Sequence, residues 1–221
     1  MKLSSSSVPV EDRGDLLDAL PVSGGIAWLR NGDGFIASGE VARIDVGTGP
    51  ARFARAAEQL QANFEAMESD DRVGVPGSGP VAFGAITFDP DVEGSVLIVP
   101  KLVMARRDGT TWRTLVGDLP DGPADSEGGG EPDRIRYWGP SVSEMAWLEA
   151  VAKAEAAVRR GDLEKVVLAR DVRVWSKSPL RPRRLLRRLV EGSFPEVAVL
   201  TFTELDSDLQ IRPVGRLVPA R

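Results

Sequence analysis

The sequence lacks two residue types altogether: its 221 residues include no cysteine and no histidine. Without cysteine there is no disulfide, no thiolate nucleophile and no cysteine-ligated zinc. Without histidine there is no Ser-His-Asp triad and no histidine-ligated metal. The chemistry that remains open belongs to Lys, Arg, Asp, Glu, Ser, Thr and Tyr, and to a hard cation such as Mg²⁺ held by carboxylates.

Long apolar runs are missing as well. No run approaches the length of a transmembrane helix, and residues 1–7 lack the continuous apolar region of a signal peptide. The expected location is therefore the cytoplasm, with no membrane partner. The net charge of −5 and the isoelectric point near 5.0 also argue against nucleic acid as a partner.

Residues 1–24 are mostly polar and are predicted to form a loose N-terminal segment. Apolar runs on both sides of Asn31-Gly32-Asp33-Gly34 and of Asp108-Gly109 predict two β-hairpins. Further strands are predicted at residues 41–46, 81–88 and 96–99. Near Pro50 a helix is predicted to begin, and its core face is predicted to consist of Phe53, Ala57, Leu60, Phe64 and Met67.

The second half begins with a Gly/Pro/Asp/Glu linker at residues 117–133. A helix follows, because Ser141-Val142-Ser143-Glu144 fits a capping box and Gly161 fits a helix stop. The remaining predicted elements are a strand at Lys165–Trp175, a helix at Arg183–Val190 and a strand at Val197–Phe202. Helices interrupt the strands without regular βαβ alternation, which predicts an α+β fold with a largely antiparallel sheet and flanking helices.

Lys165 is the first candidate for chemistry, since it precedes the apolar run Val166-Val167-Leu168. Apolar surroundings disfavour the charged form of a lysine, and a neutral amine can accept a proton. The alternative is a lysine at the end of a strand whose side chain reaches water. The pattern alone leaves both interpretations open.

Two charged groups are weaker candidates. An arginine cluster could bind phosphate, or it could be the solvated face of a helix; its members are Arg181, Arg183, Arg184, Arg187 and Arg188. Several acidic residues could bind a cation, but their Asp-Pro and Gly-Pro contexts are typical of turns. They are Asp89, Asp91, Asp118, Asp121, Asp125 and Glu127.

Four segments resemble those of the chorismate-utilising enzymes, and among these the isochorismate synthases. Gly161–Arg170 carries the lysine, and Gly84–Pro90 is similar to that family's Gly-Ala-Ile-x-Phe-Asp-Pro segment. Phe35–Gly39 with Ala42-Arg43, and Ser95–Pro100, resemble its neighbouring strands. The resemblance covers about residues 25–202, and it implies the N-terminal portion of the anthranilate synthase component I, or chorismate-binding, fold.

The resemblance also implies a chemistry. Water-using members carry lysine at the position of Lys165, whereas ammonia-using members usually carry glutamine. In the isochorismate synthases the lysine is understood to deprotonate a water that adds to C2 of chorismate. A glutamic acid protonates the C4 hydroxyl as it leaves, and Mg²⁺ on glutamates holds the substrate. Chorismate is thus the expected small-molecule partner and Mg²⁺ the expected cofactor, without ligands for it in this chain.

The sequence departs from the family at its end. Family members are about twice as long, and the Gly-Ala-Ser-Pro-Glu segment that supplies the acid has no counterpart here. Residues 203–221 are therefore interpreted as a divergent tail, expected from a frameshift or truncation. The expected alternatives are an inactive remnant or the salicylate synthase branch, in a menaquinone or a siderophore pathway. The family is usually monomeric, but this chain is expected to self-associate.

Overall fold

The computed structural model describes residues 3–21, 25–118, 136–140, 142–168, 173–175, 183, 186–187, 198–202 and 212–213. The chain divides into two compact units. The first comprises Met1–Glu127 with Arg181–Arg221, and the second comprises Gly128–Leu180. Strands and few helices make up the described residues, so the predicted α+β class is confirmed.

The first unit is built on a large sheet. Its eight described strands lie in the order β13-β12-β2-β3-β8-β9-β1-β5. They are β1 (Ser4–Pro9), β2 (Gly25–Arg30), β3 (Asp33–Ser38), β5 (Glu68–Asp71), β8 (Leu102–Arg107), β9 (Thr110–Val116), β12 (Ala198–Phe202) and β13 (Arg212–Pro213). Every neighbouring pair is antiparallel except β1 with β5, so the prediction of a largely antiparallel sheet is also confirmed.

Both predicted hairpins form, and the turn residues explain why. The β2–β3 turn has Asn31 at φ 52° and Gly32 at φ 84°, and the β8–β9 turn has Asp108 at φ 50° and Gly109 at φ 78°. Two successive positive φ angles define the type I′ turn, whose twist matches that of the flanking strands. Asn and Asp tolerate the first position and glycine the second, so these dipeptides fix both hairpins.

A smaller antiparallel sheet and a helix complete the first unit. The sheet has the order β4-β7-β6, from Ala42–Asp45, Val96–Val99 and Phe83–Ala85. The helix α1 (Arg52–Glu65) packs Leu60 and Phe64 against a cluster that includes Val99. The predicted core face is confirmed for Leu60, Phe64 and Met67 but is wrong at its start, because Phe53 is 56% exposed, whereas Arg52 and Ala56 are buried. The predicted strand at 81–88 is also shorter, covering only Phe83–Ala85.

The N-terminal segment is part of the core, so its prediction as loose is wrong for most of its described residues. Strand β1 pairs with β9 on one side and β5 on the other. A 3-10 helix (Leu16–Ala19) follows, capped by Asp15, whose Oδ1 accepts from the backbone N–H of Leu17 at 2.9 Å. Leu17 and Leu20 are buried against β2 and β3. The predicted boundary after residue 24 therefore separates elements that share one core.

The second unit contains a longer helix and a short strand pair. Helix α2 (Glu144–Arg160) is capped by Ser143, whose Oγ accepts from the backbone N–H of Ala146 at 3.2 Å. The predicted capping box starting at Ser141 is therefore wrong, because the N-cap lies two residues later and its N3 residue is Ala146 rather than glutamate or glutamine. The helix ends at Gly161, as predicted, with φ 80° and backbone bonds from Gly161 to Val158 and from Asp162 to Ala157. This pattern is a Schellman motif, which favours glycine.

The strand predicted at Lys165–Trp175 is wrong in its first half. Residues 163–168 form neither strand nor helix, and β11 covers only Arg173–Trp175, paired with β10 (Arg136–Gly139). An apolar run becomes a strand only when a partner strand takes up its backbone groups. Most of the helix predicted at Arg183–Val190 lies outside the described residues. Within that range Arg183, Leu186 and Arg187 are described, and all three are helical. Of the helices described, none is long and apolar enough to cross a membrane.

Asp71 holds the loop that leaves strand β5. Its Oδ2 accepts from the Ser78 hydroxyl at 2.5 Å, and its Oδ1 accepts from the backbone N–H groups of Val73 and Gly74. Burial acts to raise the pKa of Asp71, but these three hydrogen bonds outweigh it and hold the pKa below its ordinary value.

Asp71 should therefore make stability depend on acid. A carboxyl with a lowered folded pKa stabilises the fold above its unfolded pKa, about 3.9, and the contribution disappears as pH falls through the folded pKa. We expect Asp71→Asn to flatten the unfolding free energy between about pH 5 and pH 2, by less than about 1 kcal/mol because the group is exposed. Urea denaturation across this range measures it. Asp45→Asn, which removes a carboxylate that accepts one backbone bond, is the control; equal slopes for the Asp71 variant and wild type would contradict the prediction.

Candidate functional site

Lys165 lies in the second unit, in the irregular segment that follows α2. Its side chain is exposed, and so are those of the apolar residues around it. Leu163, Val166 and Leu168 are each about two-fifths exposed, and Val167 is 75% exposed. The apolar neighbours that the sequence predicted are therefore present, but among the described residues they do not enclose the lysine.

The end of α2 determines where this segment starts. Gly161 turns the chain out of the helix, and Arg160 then pairs with Asp162, with 2.8 Å between Nη2 and Oδ2. The segment 163–168 thus leaves a fixed helix end, which carries Lys165 four residues beyond the turn. A lysine acts as a base near neutral pH only when its charged form is disfavoured. Covering the apolar neighbours of Lys165 would create such surroundings.

The acidic candidates do not form a metal site in the part of the chain that the structure describes. Asp89 Oδ1 accepts from the backbone N–H of Asp91 at 2.9 Å, which is a turn, as their context indicated. Asp118 is exposed, and Asp121, Asp125 and Glu127 lie outside the described residues. No group of three acidic side chains converges in the described ranges. Asp89, Asp91 and Asp118 therefore do not form a site for the expected Mg²⁺ within the described ranges.

The described arginines of the cluster serve the fold. Arg183 Nε donates to the backbone oxygen of Leu20 at 3.0 Å, and Arg187 pairs with Asp15 and Asp18 at 3.3 and 2.7 Å. Burial acts to lower the pKa of Arg187, but the hydrogen bond and charge of Asp18, with those of Asp15, raise it overall. These two arginines hold the N-terminal segment, a role that neither predicted interpretation included. Arg181, Arg184 and Arg188 lie outside the described residues.

Sequence reasoning also missed the side chains that brace the loop after Gly84–Ala85. Buried Arg52 donates to the carbonyl oxygen of Thr87 at 3.0 Å. The Thr87 hydroxyl contacts the carbonyl oxygens of Asp89 and Val92 and the hydroxyl of Ser95, each at 2.9–3.0 Å. An arginine in the first turn of a helix gives no sequence signal for such a role, because it is usually solvated. The brace fixes the backbone of the Phe-Asp-Pro stretch.

An open groove of about 440 Å³ lies beside this loop. Charges of both signs line it, from Arg43, Asp45 and Glu93. Glycines and the hydroxyl groups of Thr48 and Ser95 line it as well. Arg43 is already paired with Glu40, with 2.6 Å between Nη2 and Oε2. The charge of Arg43 is therefore already taken up by Glu40 and is not free for an anionic ligand. The groove also lacks the apolar enclosure typical of small-molecule sites.

Residues 131–207 match the model of a protein family that is described as chorismate binding enzyme. A protein of Mycobacterium tuberculosis, provisionally described as isochorismate synthase MenF, is 33% identical to this chain over 116 residues. The match covers 52% of this chain and 27% of that protein, and it is the same for the proteins of two strains. The family match encloses Lys165 and both of the described strands and the helix of the second unit.

Two solved structures share the fold. The provisionally described 2,3-dihydroxybenzoate-specific isochorismate synthase DhbC of Bacillus anthracis has a TM-score of 0.55 and 19% identity, covering 90% of the chain and 46% of DhbC. MenF, the menaquinone-specific isochorismate synthase of Escherichia coli, has a TM-score of 0.54 and 19% identity, covering 85% and 45%. The chain thus spans about half the length of these proteins.

Over residues 131–207 the chain is similar to the chorismate-binding enzymes, and its fold is similar to that of two isochorismate synthases. These similarities agree with the resemblance that the four sequence segments indicated. The role of Lys165 stays a prediction.

Proposed function

We propose that this chain carries the base of an isochorismate synthase-type reaction, in which water adds to C2 of chorismate and the C4 hydroxyl leaves. The observation that carries the proposal is the position of Lys165 inside the segment that matches the chorismate-binding enzymes. Lysine at that position, rather than glutamine, favours water over ammonia as the nucleophile. The absence of histidine and cysteine leaves lysine as one of the few side chains that could serve as the base.

The proposed role of Lys165 is to accept a proton. Its neutral amine takes a proton from water while the oxygen of that water bonds to C2 of chorismate. The bond between C4 and its hydroxyl oxygen breaks, and the departing oxygen needs a proton from an acid. No acidic side chain has been identified for that step among the described residues. We therefore propose the complete reaction only for a protein that supplies this acid in addition to Lys165.

A second candidate is a chain that does not catalyse by itself. The observation that favours it is the exposure of Lys165 and of Val166–Leu168, which leaves the amine in water.

The proposed reaction could also continue to salicylate, and the product could serve menaquinone or siderophore synthesis. Neither branch is favoured by the described residues.

The chain by itself should therefore turn over chorismate slowly. Incubation with chorismate and Mg²⁺, followed by chromatographic separation of isochorismate and salicylate, measures both candidate products. We expect isochorismate at or near the background of a protein-free sample. Robust isochorismate formation that Lys165→Ala abolishes would refute this expectation, while confirming Lys165 as the base.

A chimaera tests the role of Lys165 separately. Residues 142–168 replace the matching stretch of the M. tuberculosis protein, so that the rest of that protein surrounds the segment. If the chimaera forms isochorismate, we expect Lys165→Ala to lower kcat by about 10²–10⁴-fold, the usual contribution of a general base. Lys153→Ala, which removes an exposed lysine on α2, is the matched control and should change kcat less than about twofold. An equal effect of both substitutions would rule out Lys165 as the base.

A further inference from the structure

Asn31 and Gly32 form the tip of the β2–β3 hairpin, and both residues are exposed. A side chain added at Gly32 would meet no atom within 4 Å. Within the described part of the chain, the backbone N–H of Gly32 donates to no acceptor. The backbone nitrogen that follows Asn31 is therefore shielded neither by a side chain nor by a hydrogen bond.

Asn63 is the second of the two asparagines in the sequence, and its surroundings are the opposite. Its Nδ2 donates to the carbonyl oxygen of Gln59 at 2.8 Å. Phe64, which follows it, lies inside α1 and packs its ring against a core cluster. Within a helix the backbone N–H groups are taken up by bonds to the preceding turn, so the nitrogen that follows Asn63 is occupied.

We propose that Asn31 is a modification site, at which spontaneous deamidation converts the side chain to aspartate and isoaspartate. Asparagine is among the thermolabile residues. The backbone nitrogen of Gly32 bonds to Cγ of Asn31, and the bond between Cγ and Nδ2 breaks. The proton of the Gly32 N–H leaves with the amide group as ammonia, and the product is a five-membered succinimide ring.

Water from the solvent completes the reaction by opening this ring. Opening at Cγ gives aspartate, whereas opening at the main-chain carbonyl carbon gives isoaspartate, whose backbone passes through Cγ. Ring closure requires rotation about the backbone of Asn31, so the turn must open briefly. Exposed turns open at a low cost in free energy, which makes the hairpin tip a favourable place for the reaction.

Isoaspartate at position 31 would alter the centre of the large sheet. The β2–β3 pairing begins at Arg30 with Asp33, directly beside the turn. Strands β2 and β3 are flanked by β12 and β8, so neither is an edge strand. Because isoaspartate lengthens the backbone by one carbon, the two-residue type I′ turn no longer fits between the strands. The modified hairpin should therefore be less stable than the original.

The first test compares the two asparagines within one molecule. The full chain is incubated at mildly alkaline pH, and peptide mass spectrometry detects the replacement of NH2 by OH. An isoaspartyl methyltransferase, which methylates isoaspartate but not aspartate, separates the two products. We expect Asn31 to convert at least about tenfold faster than Asn63. Equal rates, or an intact Asn31 after a synthetic peptide of residues 26–37 has converted, would overturn the proposal.

The second test measures the consequence for the hairpin. Asn31→Gly removes the amide and keeps a residue that accepts the positive φ of the turn. After equal incubation, the wild-type chain should develop a population that unfolds at lower urea concentration than the fresh chain, whereas the variant should unfold as it did when fresh. Equal losses in both chains, or an unchanged wild type that contains isoaspartate, would overturn the effect on the hairpin.

Discussion

Trp112→Ala is expected to lower the free energy of unfolding of the first unit by about 3–5 kcal/mol, the usual cost of removing a large core aromatic. Trp112 is fully buried in β9, within a cluster that includes Val103 and Ala105 of β8. Its ring meets that of Phe35 edge-on, with centroids 6.2 Å apart and an interplanar angle of 84°. Alanine would leave a cavity between strands whose backbones are fixed by their pairing.

Two further variants make this result specific. Trp28→Ala is the matched control, because Trp28 on β2 is 47% exposed. It should lower the free energy of unfolding by less than about half the amount expected for Trp112→Ala. Trp112→Phe should also cost less than alanine, because it keeps an aromatic ring and removes a buried indole N–H that has no hydrogen-bond partner. Urea denaturation followed by circular dichroism gives the three values. Similar losses for Trp112→Ala and Trp28→Ala would show that the cluster around Trp112 is not the centre of the core.

Leu17→Ala should lower the free energy of unfolding by about 2–5 kcal/mol, although residue 17 lies near the start of the chain. Its side chain is 1% exposed and packs in a cluster with Ala27, Leu29 and Ile36. Shortening it removes apolar contacts on one face of the large sheet. The same unfolding measurement applies, since the N-terminal segment and the sheet share one core.

Leu3 provides the comparison for Leu17. It is the same residue type, also in the N-terminal segment, but 38% exposed, so Leu3→Ala should cost less than about 1 kcal/mol. Proteolysis offers a second measurement, because a Leu17→Ala chain should be cut within residues 10–21 faster than the wild type. Equal stability of the two variants would mean that the N-terminal segment is as loose as its composition suggested.

The two hairpins and the C-terminal end of α2 could be predicted from the sequence because their causes are local. Asn31-Gly32 and Asp108-Gly109 fix their turns through the backbone angles that these residues accept. Gly161 ends α2 for the same reason. In each case the deciding interaction spans fewer than about six residues, so a short stretch of sequence contains all of it.

Strands β1 and β5 could not be predicted, because distant partners make them. The segment Ser4–Pro9 is rich in serine, and Glu68–Asp71 is acidic and exposed; neither has the apolar alternation of a strand. Ser7 is buried because its hydroxyl lies 2.7 Å from that of Thr114 and accepts from the backbone N–H of Gly79 at 2.9 Å. Polar groups satisfied by residues about 70 and 107 positions away leave no local pattern.

The candidate site divides in the same way. The identity of Lys165 and its apolar neighbours could be read from ten consecutive residues, and the resemblance gave them a chemical meaning. Their burial could not, because an apolar run does not specify which surface covers it. The strand predicted there failed for that reason: the described structure has no neighbour that takes up the backbone of residues 163–168. The candidate lysine could thus be identified from residue types and the resemblance, whereas its surroundings in the fold could not be predicted.

The position of β12 in the large sheet has a consequence for how this protein is made. Strand β2 lies between β3 and β12, and Ala198 of β12 pairs with Leu29 of β2. At a synthesis rate of roughly 5–20 residues per second, about ten seconds or more pass between the two strands leaving the ribosome. During that interval the outer edge of β2 has no partner from β12 and can pair with other nascent chains. The sequence distance between these two neighbouring strands therefore sets how long the edge of β2 waits for β12 during translation.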